Sequence, residues 1–294
     1  MFKSELAYNN WKSKYRYGNE EPLDTFKRVA RALASVEKEP QKWEEVFLKT
    51  LVKFDLNGEA IGLKSTPGGR ITANIGTSYE HATLLNCFIS GPVSNATIKY
   101  RRQSDEGKVG YDVEYTTDNT PDDLTNIFLS VLEQAKTLAT EGGYGINFSF
   151  IRPRGSLIKG IGIKHPGVLA YMDVWDEVSN CIVRGTNDGY MDKLKNYLND
   201  AEIEDTKTAV KAMARKGAMM AVLDCSHPDI EEFVRAKQES GRLTKFNMSV
   251  LISDEFMQAV TADADWELAH AKEPDASAFQ GYYQRNDGKW VYRK

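Results

Sequence analysis

Apolar positions in the first sixty residues recur at helical spacing in two blocks. Pro22 and Asp24 open the first, with Phe26, Val29, Ala30 and Leu33 on one face. Gln41 opens the second, with Trp43, Val46, Phe47, Leu51 and Phe54 facing inward. Residues 1–18 are polar, apart from aromatics such as Trp11, Tyr15 and Tyr17, and are expected to form a loosely ordered arm. Between residues 66 and 90 proline and glycine punctuate short apolar runs of strand character. Residues 98–102 and 111–116 alternate around a turn at 105–107, which predicts a hairpin inserted at the surface over 91–119.

The pattern then changes period. Thr120-Pro121-Asp122-Asp123 is a helix start, with an N-cap, a proline in the first turn and an acid three residues on. Leu124, Ile127, Phe128, Val131, Leu132, Ala135 and Leu138 keep helical spacing up to a run of glycines. A strand follows at 146–150 and a helix at 165–183, with Val168, Leu169, Met172, Val174, Trp175 and Val178 as its apolar set. Residues 185–214 are polar and charged and predict a helical insertion. After them come a buried strand at 217–223, a capped helix at 228–237, a strand at 246–252 and a helix at 253–260 capped by Ser253. Strands alternating with helices imply an α/β fold with a parallel or barrel-like sheet. The expected organisation is a helical region over 1–65 and an α/β body over 66–294.

Composition narrows the function. The chain has 294 residues, 41% hydrophobic and 27% charged, within the range of a globular protein. A net charge of −4 argues against bulk nucleic-acid binding, which needs a basic surplus. No apolar run is long enough to span a membrane and no signal-peptide core opens the chain, so a cytoplasmic protein is expected. Cys87, Cys181 and Cys225 have no close CxxC spacing and the four histidines form no zinc pattern, so no metal site is expected.

One stretch carries candidate chemistry. Residues 141–160 read EGGYGINFSFIRPRGSLIKG: Gly142, Gly143 and Gly145, a strand-like run, then a basic turn with Arg152, Arg154 and Lys159. Glycines let backbone N–H groups approach a ligand, and the basic turn behind them favours an anion. A glycine-bounded strand followed by a solvated basic loop would have the same appearance.

The order of motifs is more specific. PGGRITANIGT, TLLNCFIS, DDLTNI, EGGYGINFSFIRPRGSLIKG, ARKGAMMAVLDCSHPDIEEF and FNMSVLISDEFMQAV, in that sequence, closely resemble the large catalytic chain of ribonucleotide reductases over roughly residues 10–270. The resemblance implies a helical N-terminal region followed by the first half of a ten-stranded α/β barrel. It implies an enzyme that replaces the ribose 2′-hydroxyl of a ribonucleoside diphosphate or triphosphate with hydrogen through a cysteine thiyl radical.

Residue by residue, Cys87 matches the first member of the redox pair that reduces the substrate. Such a thiol needs a partner with which to form a disulfide. Asp122 matches the acid holding the sugar of an allosteric deoxynucleotide or ATP, Leu124 and Ile158 line that effector's apolar side, and Arg152 and Lys159 surround its phosphates. Without the resemblance, Asp122 is a first-turn acid favoured by the helix dipole and the arginine and lysine are an exposed basic turn. Thr72, Asn86 and Gly143 match positions near the substrate's ribose and phosphates. Arg215, with Lys216, Gly217 and Ala218, matches the end of the loop that carries effector identity to the substrate base, although the segment before it is longer than the family's. Cys181 and Cys225 match no redox position and read as structural. His227 reads as a helix-start residue, and His165 has the same plain reading.

The family's radical cysteine, in an Asn-x-Cys-x-Glu loop, and the second redox cysteine have no counterpart here. The expectation is a split or truncated enzyme completed by a complementary C-terminal polypeptide, acting as a homodimer of the two-piece unit and reduced by a thioredoxin- or glutaredoxin-like protein. Lys14-Tyr15-Arg16-Tyr17 and the phrase PGGRITANIGT are most similar to the adenosylcobalamin-dependent type, which implies that cofactor. The alternatives are a type drawing its radical from a metal-containing small subunit, and a non-catalytic nucleotide-binding or assembly fragment.

Overall fold

The computed structural model describes residues 1–78, 82–92, 97–103, 110–116, 121–158, 160–194, 218–238, 240–275, 279 and 281–292, with the backbone alone at 97–103, 110–116 and 183–194. The chain falls into two units, one of Met1–Phe88, Ala139–Gly142 and Ile182–Gly217, the other of Ile89–Leu138, Gly143–Cys181 and Ala218–Lys294.

In the first unit the N-terminal segment is not an arm. It forms α1 (Glu5–Lys14), capped by Ser4, whose hydroxyl accepts the N–H of Ala7 at 3.2 Å. Trp11 draws it in: the buried indole packs with Phe2 and Tyr8, and its Nε1 donates to Thr25 Oγ1 at 3.1 Å. An indole buried with its N–H satisfied outweighs the polar composition around it. Helix α2 (Pro22–Ala34) starts at a reciprocal capping box between Glu21 and Asp24 and buries Phe26, Val29 and Ala30, as the periodicity predicts. Helix α3 (Pro40–Leu51) turns Val46 outward, and Leu48 packs on the core in its place. Phe54 belongs not to that helix but to β1 (Val52–Phe54), which pairs antiparallel with β2 (Ala60–Leu63). Phe26, Val29, Leu51 and Val52 form this core. Where strands are expected after residue 66, residues GRITAN form α4 (Gly69–Asn74). Arg28 satisfies the end of this short helix, donating to the carbonyls of Thr72 at 3.0 Å and of Ile75, while its Nε bonds Glu20 at 2.7 Å.

The second unit is α/β, as expected. Strand β3 (Cys87–Ser90) crosses the division, with Ile89 and Ser90 on this side of it. The hairpin forms between β4 (Thr97–Gln103) and β5 (Gly110–Thr116), in register from Thr97↔Thr116 to Gln103↔Gly110, and its turn at 105–107 lies outside the described residues. Helix α5 (Leu124–Ala139) leads to β6 (Gly143–Asn147), so Gly143 and Gly145 lie within a strand; the left-handed residue at this corner is Glu141, with φ 66°. A 3-10 turn at Phe148–Phe150 and the small pair β7 (Leu157–Ile158) and β8 (Ile163–Lys164) follow. Helix α6 (Val168–Leu194) starts after Pro166 and Gly167 and runs without a break past residue 185. Next come β9 (Met219–Asp224), α7 (Ile230–Arg235), β10 (Phe246–Leu251) and α8 (Asp254–Thr261), the last capped by Ser253 as predicted. Strands β11 (Ala269–His270), β12 (Tyr282–Gln284) and β13 (Trp290–Tyr292) close the chain.

The main sheet has the order β10-β9-β6-β3, with β10, β9 and β6 mutually parallel. Trp175, Phe148 and Phe246 pack edge to face beneath it. The inward face of α5 departs from expectation: Leu124, Phe128 and Leu132 are 58%, 49% and 48% exposed, while Asn126, Ser130 and Gln134 are buried beside Ile127, Val131 and Leu138. Gln134 is satisfied through its amide nitrogen, while its Oε1 is buried with no hydrogen-bond partner among the described residues. Gln134 Nε2 donates to Trp175 O at 2.9 Å and Ser179 Oγ at 2.8 Å, and Tyr144 Oη donates to Ser130 O at 3.2 Å.

Candidate functional site

The start of α5 sets the site. Asp123 Oδ1 accepts the N–H of Thr125 at 2.9 Å and so caps the helix, three positions after Thr120, the N-cap the sequence suggests. Asp122 therefore precedes the helix instead of lying in its first turn, and its side chain points inward, 2% exposed. Its Oδ2 accepts Arg152 Nε at 2.7 Å, and its Oδ1 lies 3.2 Å from Lys272 Nζ. Arg152 is placed by the turn that leaves β6, directly after the buried Ile151.

Beside this ion cluster lies a cleft of about 380 Å³, lined by Asp122, Ser149, Asp224, His227, His270 and Lys272 among others. It opens at the carboxyl ends of β6 and β9, where open parallel sheets hold their ligands. Ser149 Oγ accepts the N–H of Asp224 at 2.8 Å and donates to Asn147 Oδ1 at 2.6 Å, which ties the two strand ends together. Asp224 Oδ1 accepts from Ser226 N and Oγ at 2.8 and 2.7 Å.

The histidines around the site are buried and neutral. His227 Nδ1 accepts Asp229 N–H at 3.0 Å, so Nε2 carries the proton and donates to Ile151 O at 2.9 Å. Burial lowers its pKa. Burial and the neighbouring His227 push His270 down to about 3, and the two rings meet edge to face at 5.2 Å. His165, stacked on Tyr171 at 5.2 Å, is lowered to about 4 by burial and by Arg152. These groups order loops and offer no proton at neutral pH. The chemistry within reach of the cleft is recognition: a buried carboxylate for hydroxyl groups, and Arg152 and Lys272 for an anion.

The structure brings Asp122 and Arg152 together and leaves Leu124 exposed on the first turn of α5, with Ile158 half-buried on β7. Lys159, Arg215, Lys216 and Gly217 lie outside the described residues. Gly143 is buried at the start of β6. In the other unit, Thr72 Oγ1 bonds its own helix at Gly68 O (3.2 Å), and Asn86 and Cys87 are exposed at the start of β3. Cys181 is exposed, and Cys225 is buried with its carbonyl accepting Trp266 Nε1 at 3.1 Å. Lys272 is the residue the sequence reading missed; it stands 150 positions from Asp122 in a turn with no recognisable motif. Among the described residues no group of three His, Cys, Asp or Glu side chains is placed to hold a metal, and no helix is long and apolar enough to cross a membrane.

Comparison with known proteins gives a consistent picture. The family model described as "Ribonucleotide reductase, barrel domain" matches residues 116–188 and 199–294. A vitamin B12-dependent ribonucleoside-diphosphate reductase of Mycobacterium tuberculosis is 32% identical over 140 residues, which cover 47% of this chain and 16% of that protein. A ribonucleoside-diphosphate reductase subunit alpha of Chlamydia muridarum is 23% identical over 253 residues, 85% of this chain and 18% of that one. The chain thus spans less than a fifth of the length of these relatives. Among solved structures, the class Id ribonucleotide reductase alpha subunit of Actinobacillus ureae superposes with a TM-score of 0.50 at 14% identity, covering 88% of this chain and 35% of the other; that likeness is one of fold.

Proposed function

The chain belongs to the ribonucleotide reductase barrel-domain family, and on that premise we propose that it supplies the effector-binding side and one redox cysteine of an enzyme reducing ribonucleotides to deoxyribonucleotides. The observation that carries this reading is the barrel-domain match itself, because the matched residues include the buried Asp122–Arg152 pair. A deoxynucleoside triphosphate or ATP binds there, with its sugar hydroxyl on Asp122 and its phosphates on Arg152 and Lys159. Cys87 and a second thiol give up two electrons and two protons, forming a disulfide as the substrate's 2′-hydroxyl leaves as water. A thioredoxin- or glutaredoxin-like dithiol then reduces that disulfide. We place the second thiol and the radical cysteine in a companion polypeptide or in further sequence of the same protein.

The exposed row Leu124, Phe128 and Leu132 on α5 supports a second copy of the chain as partner, since an apolar stripe of that spacing suits helix packing. Relatives named as vitamin B12-dependent favour adenosylcobalamin as the radical source. The cleft at the carboxyl ends of β6 and β9, about 380 Å³, is at the low end of small-ligand sites and does not fit a corrin, so no step is routed through one.

The test is affinity purification from the native source, followed by assay of ribonucleotide turnover with whatever co-purifies. A companion carrying an Asn-x-Cys-x-Glu loop, and turnover abolished by Cys87→Ser while nucleotide binding persists, is the expected result. Turnover that survives Cys87→Ser in the presence of a dithiol sinks the redox role, and nucleotide binding without any turnover leaves a binding fragment.

A further inference from the structure

We propose that Lys272 is a displaceable cation of the nucleotide site, which leaves Asp122 for the phosphates of the incoming triphosphate. The proposal rests on the effector reading of Asp122 and adds to it a residue that neither the motif series nor the relatives' names assign.

Lys272 is held at the site by its backbone. Its N–H donates to His270 Nδ1 at 3.1 Å, and its carbonyl accepts Tyr292 Oη at 2.6 Å. Two residues on, Pro274 forms an antiparallel bridge with Ser156, on the same basic turn that carries Arg152. Ser156 Oγ lies 3.2 Å from Tyr292 Oη, so one tyrosine joins the basic turn to the backbone of Lys272. The side chain is thus presented from a fixed point on the cleft wall, which it shares with Asp122.

The two cations on Asp122 are unequal. Arg152 is 17% exposed and binds through Nε at 2.7 Å, a short charge-assisted bond in a nearly dry place. Lys272 is 37% exposed and stands at 3.2 Å. An ion pair open to water to that extent is screened and contributes little, and lysine's flexible stem gives up one partner for another at small cost. A sugar hydroxyl donating to Oδ1 therefore replaces Lys272 and leaves Arg152 in place. The released ammonium remains beside the cleft, with Lys289 also on its wall, and a polyphosphate supplies the negative charge it has lost. In the absence of nucleotide the same ammonium keeps the buried carboxylate neutralised.

Binding of dATP, dADP and deoxyadenosine to the full chain, by calorimetry, tests the idea on wild type, Lys272→Met and Lys272→Arg. Lys272→Met is expected to weaken dATP at least tenfold and dADP less, to leave deoxyadenosine unchanged or slightly tighter, and to melt as the wild type does; Lys272→Arg restores most of the dATP affinity. Equal loss for all three ligands makes the residue structural and overturns the proposal, as does dATP binding by Lys272→Met within twofold of wild type. If the wild-type chain binds none of dATP, dGTP, dCTP or dTTP, the effector reading itself fails and this proposal fails with it.

Discussion

Asp229 accepts the backbone N–H of Arg154 through both of its carboxylate oxygens, at 3.1 Å each. Its Oδ2 also takes the N–H of Val168 at 3.0 Å, and its own N–H is bound by His227, whose other ring nitrogen holds the carbonyl of Ile151. The turn Ser226-His227-Pro228-Asp229 therefore grips the basic turn at 151 and 154 and the start of α6 at 168. The segment that carries Arg152 has its ends fixed by one buried cluster.

Replacing Asp229 by alanine strands the N–H of Val168 in a buried place and that of Arg154 in a partly buried one. Each unsatisfied buried donor costs about 1–3 kcal/mol, so a loss of about 2–5 kcal/mol in unfolding free energy is expected. Urea denaturation measures it, and a loss below about 1 kcal/mol would mean that water or a shifted loop replaces the carboxylate.

Gly167 is where the same cluster tolerates no side chain. Its φ is +88°, and an added Cβ would stand 2.7 Å from Arg154 Cβ and 2.8 Å from Asp229 Oδ2. The left-handed conformation alone costs an alanine about 1–2 kcal/mol, and the clash adds to that. Gly160 has open space around its Cβ position and no left-handed φ. Gly167→Ala is expected to lower the melting temperature by several degrees more than Gly160→Ala, and equal melting temperatures would contradict the geometry.

The parts of this arrangement visible from sequence are those that periodicity or capping chemistry encodes locally. Pro22 with Asp24 marks α2, Ser253 marks α8, and the strand runs at 217–223 and 246–252 mark β9 and β10. What escaped is settled at a distance. Trp11 is buried because Thr25 offers it an acceptor, and α5 turns Gln134 inward because Trp175 and Ser179 await it, leaving Phe128 outside. Asp122 stood out through the motif series; its bond to Lys272, across 150 positions, leaves no local trace.

The histidines predict a pH dependence. An unfolded histidine titrates near 6.5, whereas His270 is lowered to about 3 and His165 to about 4 in the fold, and His227 is lowered as well. Between pH 6.5 and 4 the unfolded chain binds more protons than the native one, so stability is fully present above 6.5 and falls as pH drops through that window. His270, nine-tenths buried, alone contributes a slope of about 1.4 kcal/mol per pH unit below 6.5. Unfolding free energies at pH 7.5, 6 and 5 should decline, and His270→Gln should flatten the decline. A curve that is level from 7.5 to 5 would show that these rings gain solvent or a counter-charge.

Asp122 provides the last prediction, because its two cations stand in such different surroundings. Breaking a buried, hydrogen-bonded pair leaves an uncompensated charge and costs about 3–5 kcal/mol, whereas a partly exposed pair is worth about 0–1 kcal/mol. Arg152→Met should therefore destabilise the chain by several kcal/mol, with much of that recovered when Asp122→Asn is added, since the neutral amide no longer needs the guanidinium. Lys272→Met should cost under about 1 kcal/mol. The two double-mutant cycles, Asp122 with Arg152 and Asp122 with Lys272, read these couplings separately from solvent denaturation. A large coupling to Arg152 and a small one to Lys272 fits one fixed and one exchangeable cation. If the coupling to Lys272 is the larger, the lysine is structural, and a nucleotide that displaced it would have to supply more favourable contacts elsewhere.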